Sequence, residues 1–243
     1  MIIKQIRTHI FIFSILTLFF LTTGNSFALD SNRVSFQQQN KKSKYFSLSF
    51  GMGISYCDNK SLIDFAELQI PNYNTVSQTE RFSKFSTGLE FFGGIERQLS
   101  KNVSLKADYS YFIKSVNIPQ FPNYDYSYLS HQPFLTIYYI IPQEYSFIKF
   151  GAGAGYIISE LRVKEYSYEK SYTSGGWGLK LEGILNAQIS KNVAGYFSTF
   201  ITKSFQSDLK DESNTVLNNR NNEKVNLSSF GLGLRIGLEV FIF

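Results

Sequence analysis

The sequence predicts an all-β chain that folds as an eight-stranded antiparallel up-and-down transmembrane β-barrel. Three observations predict it. Eight stretches alternate with a period of two, the spacing that sends successive side chains to opposite faces of a strand. One of the two faces is large and apolar, while the other is mostly Gly and Ser with a few charges. Beyond residue 28 no run has the length and apolarity of a membrane-spanning helix.

The elements follow in order. Lys4 and Arg7 form a positive start, and Ile10 to Leu21 is an apolar run broken only by Ser14 and Thr17. Ser26-Phe27-Ala28 then offers small residues at the −3 and −1 positions of a cleavage site. This is the pattern of a signal peptide over residues 1–28, and the run is short for a spanning helix. No Cys stands near residue 28 to carry a lipid anchor. Residues 29–43, with Gln37 to Gln39 and Lys41-Lys42, are expected to be a flexible periplasmic segment, leaving 44–243 for the barrel.

The first strand is expected at Tyr45–Tyr56, where Phe46, Leu48, Phe50, Met52, Ile54 and Tyr56 oppose Ser47, Ser49, Gly51, Gly53 and Ser55. Around Phe85–Ile95, Leu89, Phe91 and Ile95 oppose Gly88, Glu90, Gly94 and Glu96, with Phe92 on the polar phase. Val103–Ile113 sets Leu105, Ala107, Tyr109, Tyr111 and Ile113 against Lys106, Asp108 and Ser110. Leu129–Ile141 puts His131 and Pro133 on the apolar phase, and Pro133, lacking a ladder donor, marks a bulge or irregular pairing. In Ile148–Ile158 the polar phase is Lys149, Gly151, Gly153 and Gly155. Trp177–Ala187 sets Trp177, Leu179, Leu181 and Leu185 against Gly178, Lys180, Glu182 and Asn186. Val193–Lys203 favours Phe197, Thr199 and Ile201 on the apolar side. In the last strand, Phe230–Phe243, Leu232, Leu234, Ile236, Leu238, Val240 and Ile242 alternate with Gly233, Arg235, Gly237, Glu239, Phe241 and Phe243.

The connections are long at 57–83, 159–174 and 204–226, medium at 117–125 and short at 98–102, 142–145 and 189–192. Two short turns nearly repeat, Gln98-Leu99-Ser100-Lys101-Asn102-Val103 and Gln188-Ile189-Ser190-Lys191-Asn192-Val193, as equivalent hairpins at one rim.

An eight-stranded closure leaves an interior just wide enough for side chains. A soluble, lipocalin-like barrel would turn the large apolar face inward, and a membrane barrel turns it outward. The residue types favour the second. Five acids (Glu90, Glu96, Asp108, Glu182, Glu239) and four bases (Lys106, Lys149, Lys180, Arg235) share a face otherwise built from small residues. That suits an interior network of ion pairs. A Lys or Arg turned to lipid at the midplane costs about 2–4 kcal/mol, and a one-residue slip would expose several at once. Tyr56, Tyr111, Tyr156 and Trp177 fall near the long-loop ends and Tyr139 near a short-turn end, as interfacial girdles require. Closure also pairs every edge, so that no backbone donor faces hydrocarbon alone. The long loops then lie outside the cell and both termini in the periplasm.

Composition excludes other classes. Of 243 residues only 18% are charged and 17% are aromatic, at a mean hydropathy of −0.12, which fits neither a disordered chain nor a helical membrane protein. One Cys and two His make a disulfide framework or a zinc site implausible. The net charge of +5 falls to +3 without Lys4 and Arg7, too mild for a nucleic-acid partner. Gly151-x-Gly153-x-Gly155 lacks the strand-to-helix setting of a nucleotide loop and reads as clearance inside the barrel. His131 and Ser130 are neighbours on a strand, so they point to opposite faces and make no catalytic pair. Cys57, at the end of the first strand, reads as a lone thiol.

From the final strand and the glycine-rich strand together, residues 44–243 resemble the small bacterial outer-membrane β-barrel family, the OmpA/OmpX-like, porin-like outer membrane protein beta-barrel domain. Arg235-x-Gly237-x-x-Val240-x-Ile242, ending at Phe243, looks like the signal read by the barrel-assembly machinery, and Phe150-Gly151-Ala152-Gly153-Ala154-Gly155-Tyr156 looks like a strand common in such barrels. The peptidoglycan-binding domain of full OmpA proteins is not expected after Phe243. The resemblance implies a bacterial outer-membrane location, outer-membrane lipid and the assembly machinery as partners, and no cofactor, catalytic set or metal. The expected function is structural: display of surface loops for adhesion or envelope integrity, over a largely filled lumen holding Glu90, Lys106, Asp108, Lys149, Lys180, Glu182, Arg235 and Glu239. An extracellular ligand would meet the long loops. Asp58 to Ser83 carries Leu62, Ile63, Phe65 and Leu68, enough for a lid, while 204–226 reads as mobile. A small passive pore is the main alternative. A lipid-modifying barrel enzyme and a secretion component of the PorT type are further ones.

Overall fold

The computed structural model describes residues 46–69, 86–118, 124–143, 146–165 and 168–242. The signal peptide and periplasmic segment expected at 1–43, and Phe243, lie outside the described residues. Eight antiparallel strands form a closed barrel, each paired with its sequence neighbours and the first with the last. They are β1 (Phe46–Asp58), β2 (Thr87–Ser100), β3 (Val103–Ile118), β4 (Tyr124–Pro142), β5 (Ser146–Glu165), β6 (Tyr168–Ser190), β7 (Val193–Gln206) and β8 (Ser229–Ile242). One helix, α1 (Lys60–Gln69), follows β1.

The alternation decides which way each side chain points. Along β8, Leu232, Leu234, Ile236 and Leu238 are exposed on the outer wall while Arg235 and Glu239 are buried inside. The same division holds on β1, where Leu48, Phe50, Met52 and Ile54 face out and Ser47 and Ser49 face in. An outer wall of Leu, Ile, Phe and Val with buried charge behind it inverts the soluble arrangement and is that of a transmembrane barrel. Tyr56, Tyr156, Trp177 and Tyr139 are all exposed on that wall.

Several strands outrun the apolar band. A spanning strand needs about 9–11 residues, whereas β5 has 20 and β6 has 23. The segment expected as a loop at 159–174 is therefore largely strand: β5 and β6 stay paired from Ser146↔Ala187 to Glu165↔Tyr168. The local reason is a run of Tyr, Val, Thr and Ser residues, which suits a paired strand as well as a loop. The connection at 117–125 is likewise shortened, since β3 pairs with β4 up to Ile118↔Tyr124.

The twin turns sit at one rim, on β2–β3 and β6–β7, each at a register shift. Each pins the end of the strand beyond the hairpin, β4 or β8: Asn102 O accepts from Ile140 N at 2.8 Å, and Asn192 O accepts from Phe241 N at 2.8 Å. Pro133 keeps the β4–β5 register without a bulge. The ladder runs from His131↔Ile158 to Phe134↔Gly155, and the two pairs between are missing.

Candidate functional site

The barrel interior and its long-loop mouth hold the polar chemistry of the described residues. Near the short-turn end, Lys149 Nζ lies 2.7 Å from Glu96 and 3.1 Å from Glu239. Glu239 also accepts from Ser47 Oγ at 2.5 Å and from the Asn186 amide. Phe147 and Phe241 meet edge to face at 5.7 Å beside this group, closing the lower lumen with Ile140 and Ala194.

The middle layer is denser. Arg235 reaches Glu90 at 2.6 Å, Glu182 at 3.3 Å and Asp108 at 3.5 Å, and donates to Ser110 Oγ at 2.8 Å. Its guanidinium lies 4.3 Å from the centre of the Phe200 ring and 5.1 Å from that of Phe92. Lys180 pairs with Asp108 at 2.8 Å and Glu182 at 3.4 Å. Lys106 donates to the Tyr196 hydroxyl at 3.1 Å, and Tyr196 in turn donates to Glu182 at 3.0 Å. Tyr138 donates to the other oxygen of Glu182. Glu90, Lys106, Asp108, Lys180, Glu182 and Arg235 thus form one cluster, while Lys149 and Glu239 form a second, with Glu96, below it.

Glycines make room for this filling. A Cβ on Gly233 would stand 2.2 Å from the Phe200 ring, and one on Gly151 2.4 Å from the Tyr138 ring. The rings lie across the neighbouring strand where no side chain stands in the way. Above the cluster, Ser55, Glu90, Phe112, Tyr128, Gln132 and Gln206 line a cavity of about 30 Å³, room for a water or two.

The mouth is covered. Asn59 caps α1 by accepting from Leu62 N at 2.9 Å. Leu62, Phe65 and Ala66 of the helix pack against Phe112, Tyr124, Tyr126, Tyr128 and Leu161 at the outer ends of the strands, and against Leu209, Leu217, Val225 and Leu227. Lys114 lies within this cover, its Nζ 4.7 Å from the centre of the Tyr128 ring.

The 204–226 segment, expected to be mobile, carries its own hydrogen-bonded order. Leu209 N donates to Val225 O, Val225 N to Leu217 O, and Leu217 N to Leu209 O, closing a triangle of strand-like corners. Two matching turns project from it. Asp211 Oδ1 accepts from the N–H of Ser213 and Thr215, and Asn219 Oδ1 accepts from those of Asn221 and Glu223. Asn214 and Asn222 hold the left-handed backbone that each turn needs. Lys170 of β6 pairs with Asp211 at 2.7 Å. That bond, with the Thr215 N–H, holds the Asp211 carboxyl below the usual aspartate range. The sequence shows only an Asn-rich stretch; the apolar residues at 209, 217 and 225, eight apart, are the signal that marks it as folded.

The hydroxyls of Tyr138 and Tyr196 and the Asn186 amide complete the lumen clusters. The alternation alone places them inside, since Tyr138 lies one residue from outward Tyr139. His131 faces outward and bonds to Tyr109 at 2.5 Å. Cys57 is a free thiol at the rim of the small cavity. No group of three or more His, Cys, Asp or Glu suited to a metal ion exists among the described residues.

The sequence matches no protein-family model and no curated protein. Solved structures do match the fold. A major outer membrane protein from Thermus thermophilus superposes with a TM-score of 0.52 at 10% identity, over 82% of this chain and all of that one. Ail, the attachment invasion locus protein of Yersinia pestis, bound to the heparin analogue sucrose octasulfate, gives 0.49 at 9% identity over 82% of this chain and 99% of its own. Neisserial surface protein A gives 0.46 at 11% identity, over 80% and 96%. At such identities the likeness speaks of fold, and the fold in common is an outer-membrane β-barrel.

Proposed function

We propose that this chain, which has the fold of the small bacterial outer-membrane β-barrels, is an integral outer-membrane protein with a closed lumen that presents its long-loop end at the cell surface. The observation that supports this most directly is the stacking of two filled layers. Buried ion pairs and aromatic rings cross the interior, and an apolar cover from α1 and the β7–β8 segment lies over them. A passive pore needs a continuous water path, and the small cavity between these layers does not supply one. The role is then structural: display of a folded loop platform for adhesion or envelope integrity.

The test is single-channel recording of the refolded protein in planar bilayers. No conductance above that of the bare bilayer is expected, and a stable open level would overturn the closed reading in favour of a small pore. Labelling intact cells with an impermeant amine reagent checks the orientation. Lys210 and Lys224, in the β7–β8 segment, should react, and Lys101 and Lys191, in the twin turns, should not.

Arg235, Gly237, Val240, Ile242 and Phe243 are, in this reading, the signal for the barrel-assembly machinery. An alternating strand with a free end can add to a sheet edge by main-chain pairing.

A further inference from the structure

Cys57 is the one cysteine of the chain. It is half-buried, packs against the apolar cover of the mouth and lines the small cavity beneath that cover. A second observation lies in the wall of the same cavity. Gln206 is 8% exposed. Its Nε2 donates to Leu227 O at 3.1 Å, which fixes the two ends of the amide, and its backbone N–H donates to Ser228 Oγ at 3.0 Å. Oε1 is left as a buried acceptor with no donor among the described residues. A buried acceptor in that state is costly, so the occupant of the cavity must bring an O–H or N–H to it.

Size and charge narrow the occupant. At about 30 Å³ the cavity takes a water or two, or one polar molecule of that bulk. Ser55, Thr202, Ser204 and Ser229 add hydroxyls to its lining. Lys114 stands beside it: Nζ lies 4.7 Å from the centre of the Tyr128 ring, which is part of the cavity wall. The charges of Lys114 and of a Cys57 thiolate act on each other. A cation next to a thiol favours the thiolate, the form that attacks. The cavity thus joins a nucleophile, a cation and a waiting acceptor in a space closed to large molecules.

We propose that this cavity is a hydrogen peroxide site and that Cys57 is the residue oxidised there. Peroxide donates one O–H to Gln206 Oε1 and presents an oxygen to Sγ. The thiolate sulfur attacks that oxygen and the O–O bond breaks. The departing hydroxide takes up the proton that the thiol has given, and leaves as water. Sulfur is oxidised by two electrons to the sulfenic acid, and the peroxide is reduced by two. The chain has no second cysteine to condense with the product, and glutathione is far too large for the cavity, so the sulfenic acid persists. The proposal needs only the covered mouth and stands apart from the surface-display role.

The full chain is folded in dodecyl maltoside, with heat-modifiable gel mobility as the check on folding. Hydrogen peroxide is added for timed intervals and removed with catalase. The chain is then unfolded in urea containing dimedone, and the sulfenic acid is read as the dimedone adduct by intact mass. The folded thiol should be oxidised about tenfold faster than the same thiol in the urea-unfolded chain, the gain expected from one neighbouring cation. With tert-butyl hydroperoxide, too bulky for the cavity, the order should reverse. Glutathione added before unfolding should leave the adduct in place. Lys114→Met should bring the rate with hydrogen peroxide down to that of the unfolded chain. Gln206→Met, which keeps the bulk and removes the acceptor, should slow it as well, and it carries the test if Lys114→Met does not fold.

A folded thiol oxidised no faster than the unfolded one would overturn the proposal and leave the cavity to water. Equal rates with the two peroxides would mark a freely exposed thiol and overturn it too. So would an unchanged rate in folded Lys114→Met or Gln206→Met. The size comparison uses the unaltered chain, so it decides even where both variants fail to fold.

Discussion

Arg235 shows how much one buried side chain can decide. Its guanidinium bridges Glu90, Glu182 and Asp108, and its flat faces rest on Phe200 and Phe92. Replacing a buried ion pair wholesale by apolar groups can be neutral, whereas removing one partner strands the others. Arg235→Met leaves three carboxylates short of their cation and should destabilise the barrel by about 3–5 kcal/mol. Urea unfolding in lipid vesicles measures this. Adding Glu90→Gln should recover part of the loss, because one stranded charge is then gone. The glycines belong to the same scale. Gly233 and Gly151 are small so that Phe200 and Tyr138 can lie flat across their strands, and this close approach explains why the inner face alternates glycine with charge.

The β7–β8 segment is the element whose order depends most on local chemistry. Its triangle of backbone bonds is fastened to β6 by Lys170–Asp211 and by mutual N–H···O bonds between Thr173 and Lys210. Because the folded Asp211 carboxyl titrates below its ordinary value, its contribution is present above the unfolded pKa and is lost as pH falls through the folded one. The turn should therefore stay closed at pH 5 and loosen below about pH 4. Asp211→Asn should show the loosened turn at neutral pH. Amide exchange at Ser213 and Thr215, whose N–H groups bond to Asp211, reads both. A turn in Asp211→Asn as protected as in the wild type would refute the clamp.

For the whole molecule, closure is redundant. The apolar cover at the mouth and the ion-paired layers beneath it share little chemistry. Replacing Leu62 and Phe65 by Ser should loosen α1 and admit protease to the helix, yet leave bilayer conductance at background. A channel opening in that variant would show that the cover alone seals the barrel. Biogenesis is a second property of the whole chain. Deleting residues 241–243 should lower outer-membrane accumulation, read as the amount of heat-modifiable folded protein in the membrane fraction. Phe241 adds a packing reason, since its ring rests against Phe147 in the lower lumen.

Period-two alternation is a local property that marked the eight strands, and the residue types on its two faces, Gly, Ser and paired charges against Leu, Ile and Phe, determined the lipid-facing side, because a one-residue slip would move several charges into hydrocarbon. The polar phase carries Lys180, Glu182, Arg235 and Glu239, and all four are buried inside the barrel. Which charge meets which was settled by closure, since Arg235 and Glu90 are 145 residues apart and become neighbours over Gly53 of β1 only when β8 pairs with β1. The extent of β5 and β6 beyond the membrane, the folding of α1 over the mouth and the triangle at 209–225 were likewise decided by tertiary packing. Past the apolar band no hydrophobic phase constrains the chain, so its shape follows from what it can bury against its neighbours.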